Sequence, residues 1–240
     1  MTKSPITCSM NISEFAGQFT YQPLTHDTCA VTGYTLPAPV CLTLPEYAPD
    51  GRLVVAVGDR AFASCTTLRS LTLPASVISI GVRAFAFCTS LLDIRLCNGS
   101  QLADIGDRAF MGCERLTVLR LAGASAHLSC GRSAFAYCTR LRSIVLPEGM
   151  DELSPSLFEG CTALEHIHLP STLRTLRTGA FAACSSLRRL ILPAGLTAIE
   201  DCAFAYCSHL QDVTLPESAC MVSASAFMDC VRLGDLLMVG

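Results

Sequence analysis

Lysine is almost missing from this 240-residue chain. Lys3 is its single lysine, and the rest of its 17 basic residues, 16 in all, are arginines. Charge of either sign is scarce, at 15% of residues, and a net charge of −3 is too small to argue for or against nucleic acid. Although 51% of residues are apolar, no uninterrupted run reaches the ~18 residues of a membrane helix, so the hydropathy does not come from a membrane span. The opening stretch MTKSPITCSMNISEF has no apolar segment of signal-peptide length, which leads us to expect a soluble, cytoplasmic chain. No C-x-x-C pair occurs, and the cysteine count of 15 is odd, which argues against a disulfide framework. No G-x-S-x-G, H-E-x-x-H or glycine-rich phosphate loop is present, so no enzyme class and no cofactor is indicated.

What the chain does have is one unit repeated eight times. Phenylalanines recur at 62, 85, 110, 135, 158, 181, 204 and 227, at intervals of 23, 25, 25, 23, 23, 23 and 23 residues. A cysteine follows each three residues later, from Cys65 to Cys230, and a leucine three beyond that, from Leu68 to Leu233. Within a copy, Leu71 and Leu73 flank Thr72 in the alternation of a strand with one buried face. Pro74 then ends it, having no amide proton for a ladder. Val57, Ala61, Phe62 and Cys65 lie on the other limb, where their spacing suits a tight turn or a short helical segment. A unit this thin cannot close a core alone, so the copies must stack, at roughly 4.8 Å per layer. The expected architecture is an α/β repeat solenoid, with a parallel sheet on one face and helical or turn segments on the other. The cysteines then form an internal column of small, buried, free thiols.

The pattern I-G-x-x-A-F-x-x-C-x-x-L-x-x-I-x-L-P resembles the BspA-type leucine-rich repeat, from about Leu42 to Leu237. The resemblance implies a right-handed solenoid and a bacterial cell-surface role in adhesion or host interaction. The glycine of the motif is present at Gly58, Gly81, Gly106 and Gly131 but replaced by Ser154, Arg177, Glu200 and Ser223. That position therefore cannot require a positive φ in every copy.

Residues 1–41 do not fit the unit and read as an N-terminal cap, with the solenoid over 42–240. At the other end the chain stops just after the eighth strand, and Leu236–Val239 is a candidate for end-to-end homodimer pairing. The two longer copies carry their extra residues after the strand, which places Asn98, Gln101 and His127 on neighbouring edge loops suited to recognition.

The outward strand sites hold Arg69, Arg95, Arg120, Arg142, Arg188 and Arg189, with His166 and His168 among them, against the acids Asp93 and Glu165. The last two copies hold Asp212 and Asp235 and no base. Such a face is locally basic and suits a protein partner with an acidic surface. No aromatic lies among these sites, while Phe87, Tyr137 and Tyr206 sit on the other limb, so a nucleic-acid platform is not expected. His166 and His168 point the same way and could ligate a metal. Their expected neighbours Ser143, Val145, Arg189 and Ile191 supply no third ligand, and a metal site is therefore not predicted. The leading reading is a non-enzymatic binding module for protein or surface glycan, with an intracellular scaffold as the alternative and a metal-dependent enzyme as a remote third.

Overall fold

Pro74 stops one strand and Gly58 follows another, and between such points each copy turns back on itself. We analysed a computed structural model, in which residues 18–35, 39–121, 123–216, 220–234 and 237–238 are described. The described residues open with an antiparallel hairpin of β1 (Phe19–Pro23) and β2 (Thr28–Tyr34). The leucine-rich limb of the copies then forms β3 (Cys41–Thr43), β5 (Ser70–Leu73), β7 (Asp93–Leu96), β9 (Val118–Arg120), β11 (Ser143–Val145), β13 (His166–His168), β15 (Arg189–Ile191), β17 (Asp212–Leu215) and β19 (Leu237–Met238). The limb before each Ala-Phe pair forms β4 (Leu53–Val57), β6 (Ser79–Ile80), β8 (Asp104–Ile105), β10 (Ser129–Cys130), β12 (Glu152–Leu153), β14 (Thr175–Leu176), β16 (Ala198–Ile199) and β18 (Met221–Val222).

Every pairing between copies is parallel and in phase with the repeat, so that Leu71 lies beside Ile94 and Ile144 beside Ile167. The solenoid thus carries two strand ladders instead of one. The leucine ladder runs in three pieces, β3-β5-β7, β9-β11-β13 and β15-β17-β19. The second ladder runs β2-β4-β6-β8-β10 and then β12-β14-β16-β18.

The expectation of helical segments beside the Ala-Phe pairs is corrected here: among the described residues, no helix is formed. The segment is a turn that makes a third ladder of its own. In the first copy the amides of Arg60, Phe62 and Ser64 donate to the carbonyls of Val82, Ala84 and Ala86 in the next copy, at 2.7–2.9 Å. The amides between them, of Ala61, Ala63 and Cys65, fold back three residues within their own copy. A helix would send all these amides along one axis. Alternating them requires left-handed residues, and φ is positive at Arg60, Arg83 and Arg108 and at Ser64, Phe87, Tyr137 and Tyr206. Each such residue costs roughly 1–2 kcal/mol, about what one inter-copy hydrogen bond returns. The turn is therefore held by what it buries.

What it buries is a stack of phenylalanines. Neighbouring rings from Phe62 to Phe227 lie 5.2–5.8 Å apart, within 17° of parallel, the offset arrangement aromatic quadrupoles favour. The cysteines line the next column. From Cys88 onward each thiol donates to the phenylalanine carbonyl of the preceding copy, as Cys88 does to Phe62 at 3.2 Å and Cys184 to Phe158 at 3.3 Å. Burial pushes the Cys88, Cys130 and Cys138 thiols up to about 12.

The motif glycine is explained by close approach, not by φ. A Cβ at Gly81 would lie 2.5 Å from Asp59 Oδ1, and one at Gly131 the same distance from Asp107 Oδ1. Those carboxylates accept the next copy's amides, of Val82 at 2.7 Å and Arg132 at 2.8 Å. Further along, Arg177 replaces the glycine and bridges Glu152 and Glu200 at 2.7 and 2.8 Å. Partial burial pushes the Glu200 carboxyl up, but bonds from Arg177 and Thr178 outweigh this and hold it below its usual value.

At the N-terminal end, β2 pairs with β4, and Phe19 meets Phe62 edge-on at 6.4 Å. At the other end, Leu236 and Val239 of the proposed pairing segment lie outside the described residues, while Leu237–Met238 pairs with Thr214–Leu215.

Candidate binding surface

Alternation along the leucine ladder turns Leu71, Leu119, Ile144, Leu190 and Val213 inward, where each is buried. The intervening residues face solvent. Arg69, Arg95, Arg120, Arg142, Arg188 and Arg189 are all exposed, as are His166 and His168. The strand register sets His166 beside Ser143 and His168 beside Val145.

The face is less uniformly basic than the sequence suggests. Arg95 pairs with Asp93 on its own strand, and Arg189 Nε reaches Asp212 Oδ2 in the next copy at 2.9 Å. Exposed pairs of this kind contribute about 0–1 kcal/mol, but they cancel charge locally. Among the described residues, Arg69, Arg120, Arg142 and Arg188 have no carboxylate partner. Asp212 was expected to mark an acidic end, and it instead neutralises part of the basic stretch.

A second correction concerns the histidines. Adjacent copies were expected to set Arg189 and Ile191 in register with His166 and His168, yet no ladder joins β13 to β15. The core shows through at this interruption. Ile167 and Leu169 are only half buried, whereas Ile144 and Leu146 in the preceding copy are 1% and 3% exposed. Two adjoining cavities of about 680 and 610 Å³ straddle the interruption, both lined by Glu165, His166 and Arg189. Ser186, Arg188, His209 and Gln211 complete the first, and His168, Ile167 and Ile191 help to form the second. His209 Nδ1 lies 2.7 Å from the Ser185 carbonyl, which fixes it as the protonated nitrogen. Ile191 is 79% exposed. His209 was missed in the sequence because it lies outside the strand, and Ile191, placed there on the outward face beside the histidines, was passed over as a contact because it offers no ligand atom. Among the described residues, no three His, Cys, Asp or Glu side chains converge as metal ligands would.

The profile of the BspA type leucine rich repeat region matches residues 55–151 and 128–238, in six copies. The chain belongs to the BspA-type leucine-rich repeat family. Among solved structures, it is 30% identical to a leucine-rich repeat protein of T. pallidum, with 92% of this chain and 90% of that one covered and a TM-score of 0.62. A leucine-rich repeat protein of Bacteroides ovatus has the same fold at 22% identity and a TM-score of 0.54, with 92% of this chain and 70% of that one covered. No curated protein matches the sequence. No helix among the described residues is long and apolar enough to cross a membrane.

In this BspA-type chain the edge loops are neighbours, joined where the Ser125 amide donates to the Leu102 carbonyl at 2.9 Å. Their candidate residues nonetheless do not meet in one pocket. Asn98 and Gln101 are exposed on the first loop, where Gln101 Nε2 donates to the Gly99 carbonyl. His127 lines a separate cavity of about 450 Å³ with Ser129, Asp151 and Glu152, at the interruption between β10 and β12.

Proposed function

We propose that this chain is a non-enzymatic recognition module that holds a protein partner on the face of its leucine ladder, serving adhesion or host interaction at a bacterial surface. The observation that carries this is the set of exposed arginines without carboxylate partners among the described residues, Arg69, Arg120, Arg142 and Arg188, on one face of the stack. Uncompensated charge on a rigid face steers an acidic partner and fixes its orientation. In this reading residues 1–41 act as the cap, which the hairpin against the first copy supports. The edge loops with Asn98, Gln101 and His127 add a secondary contact.

Reversing Arg69, Arg120 and Arg142 to Glu tests it. Proteins from the source organism captured by the wild type should be lost by the variant, with an unchanged melting temperature. Identical captured sets would sink the sheet-face assignment.

The exposed thiol of Cys97 favours a second reading, an intracellular scaffold. Solvent-exposed thiols persist in reducing compartments. Thiol titration of protein from its native compartment separates the two.

A further inference from the structure

We infer that the opening between β13 and β15 is a specific seat for a peptide segment carrying a carboxylate next to an apolar side chain. This rests on the sheet-face reading above and sharpens it from a charged face to one groove.

Three independent observations meet at the opening. The first is topological, since the leucine ladder is interrupted there and two large cavities straddle the gap. Their volumes fall within the roughly 300–1,000 Å³ of ligand sites. The second is the floor. Ile167 and Leu169 lose the full burial that Ile144 and Leu146 keep one copy earlier, and Ile191 stands almost fully in solvent. An apolar floor beside an exposed isoleucine favours an aliphatic side chain from a partner, because covering it removes apolar area from water.

The third is the rim. Arg188 has no carboxylate partner among the described residues, while the neighbouring Arg189 is already engaged by Asp212. Arg188 is thus the group left to take an incoming carboxylate, and a guanidinium does so through two parallel N–H donors. Its carbonyl accepts the amides of Gln211 and Asp212, so the backbone is held by the ladder while the side chain stays free to bind. His166 flanks the site and adds a ring N–H or acceptor group according to tautomer, while His209, its Nδ1–H held by the Ser185 carbonyl, offers its Nε2. Glu165 on the same rim disfavours a ligand with a dense block of acidic residues, so the groove selects one carboxylate with an apolar neighbour over a polyanion.

Fluorescence polarisation with a labelled octapeptide that sets a single Glu-Leu pair among Gly and Ser residues tests this on the full chain. Wild type should bind it and bind the Gln-for-Glu version at least about tenfold more weakly, the cost of losing a charge-assisted bond. Arg188→Ala should lose about tenfold or more, and Ile191→Ser should also weaken binding, while Arg69→Ala with Arg120→Ala should change it less than about twofold. Equal losses from Arg188→Ala and the Arg69/Arg120 pair would overturn the groove and leave the broad sheet-face reading standing. Failure of the wild type to bind the peptide, or binding of a sialylated oligosaccharide in its place, would overturn the groove as well. Loss of the natural partner in the triple Glu variant, with peptide binding intact, would leave both readings in place.

Discussion

Tyr137 and Gly160 show how a residue in one copy sets the choice in the next. Tyr137 sits at φ 59° and stays about half exposed, its hydroxyl donating to Glu159 Oε1 at 2.7 Å. Its ring occupies the space that a side chain on residue 160 would need, since a Cβ there would lie 2.6 Å from Tyr137 Cδ1. Gly160 itself has φ +70°. Gly160→Ala should therefore cost about 2–3 kcal/mol, part from the left-handed backbone and part from the displaced ring. In a Tyr137→Ala background the same change should cost only about 1–2 kcal/mol, because the backbone part alone remains. Urea unfolding of the four proteins of this cycle checks it, and equal costs in both backgrounds would refute the packing account. At the same scale, the thiols make a pH prediction. Folding raises Cys88, Cys130 and Cys138 from 9.0 to about 12. Both states hold these protons below pH 9, so the contribution is fully present there. It is lost as pH climbs from about 9 towards 12, at roughly 1.4 kcal/mol per pH unit for each thiol. The urea midpoint should stay level from about pH 7 to 8.5 and then fall, less steeply in Cys138→Ala, and a level midpoint at pH 10.5 would contradict the burial.

At the scale of elements, three ladders share one interior, and the phenylalanine stack is their common support. Phe135 is fully buried between Phe110 and Phe158, and its amide donates to the Leu157 carbonyl at 3.0 Å. Phe135→Ala should destabilise by about 3–5 kcal/mol. Phe227, half buried at the end of the stack, should cost less on the same change, since its site opens to solvent. Comparable values at both positions by urea unfolding would mean that the stack is not the support. The left-handed turn makes a smaller prediction. Ser64 is exposed with φ 60°, so Ser64→Gly should gain up to about 1 kcal/mol by removing the Cβ clash.

For the whole molecule, stability accrues from neighbour contacts along a single axis. Deleting the 23 residues from Phe158 to Ala180 keeps every column in phase and should leave a folded, somewhat less stable protein by far-ultraviolet circular dichroism. Deleting 12 residues from the same start point should not fold, because it sets strand against turn. An equally folded shorter deletion would refute stacking in phase. The sequence by itself determined the period, the inward columns and the outward arginines, because like residues recurring in phase at a near-constant interval can share an interior only by superposition. It also held a sign of the left-handed turn that went unread, with Gly112 and Gly160 standing in register with Ser64 and Phe87. The tertiary structure alone decided that this limb is a hydrogen-bonded ladder instead of a helix, that Asp212 takes Arg189, and that the leucine ladder opens beside His166. These outcomes depend on amides, carboxylates and strand edges meeting across copies, where residue type is silent and distance decides.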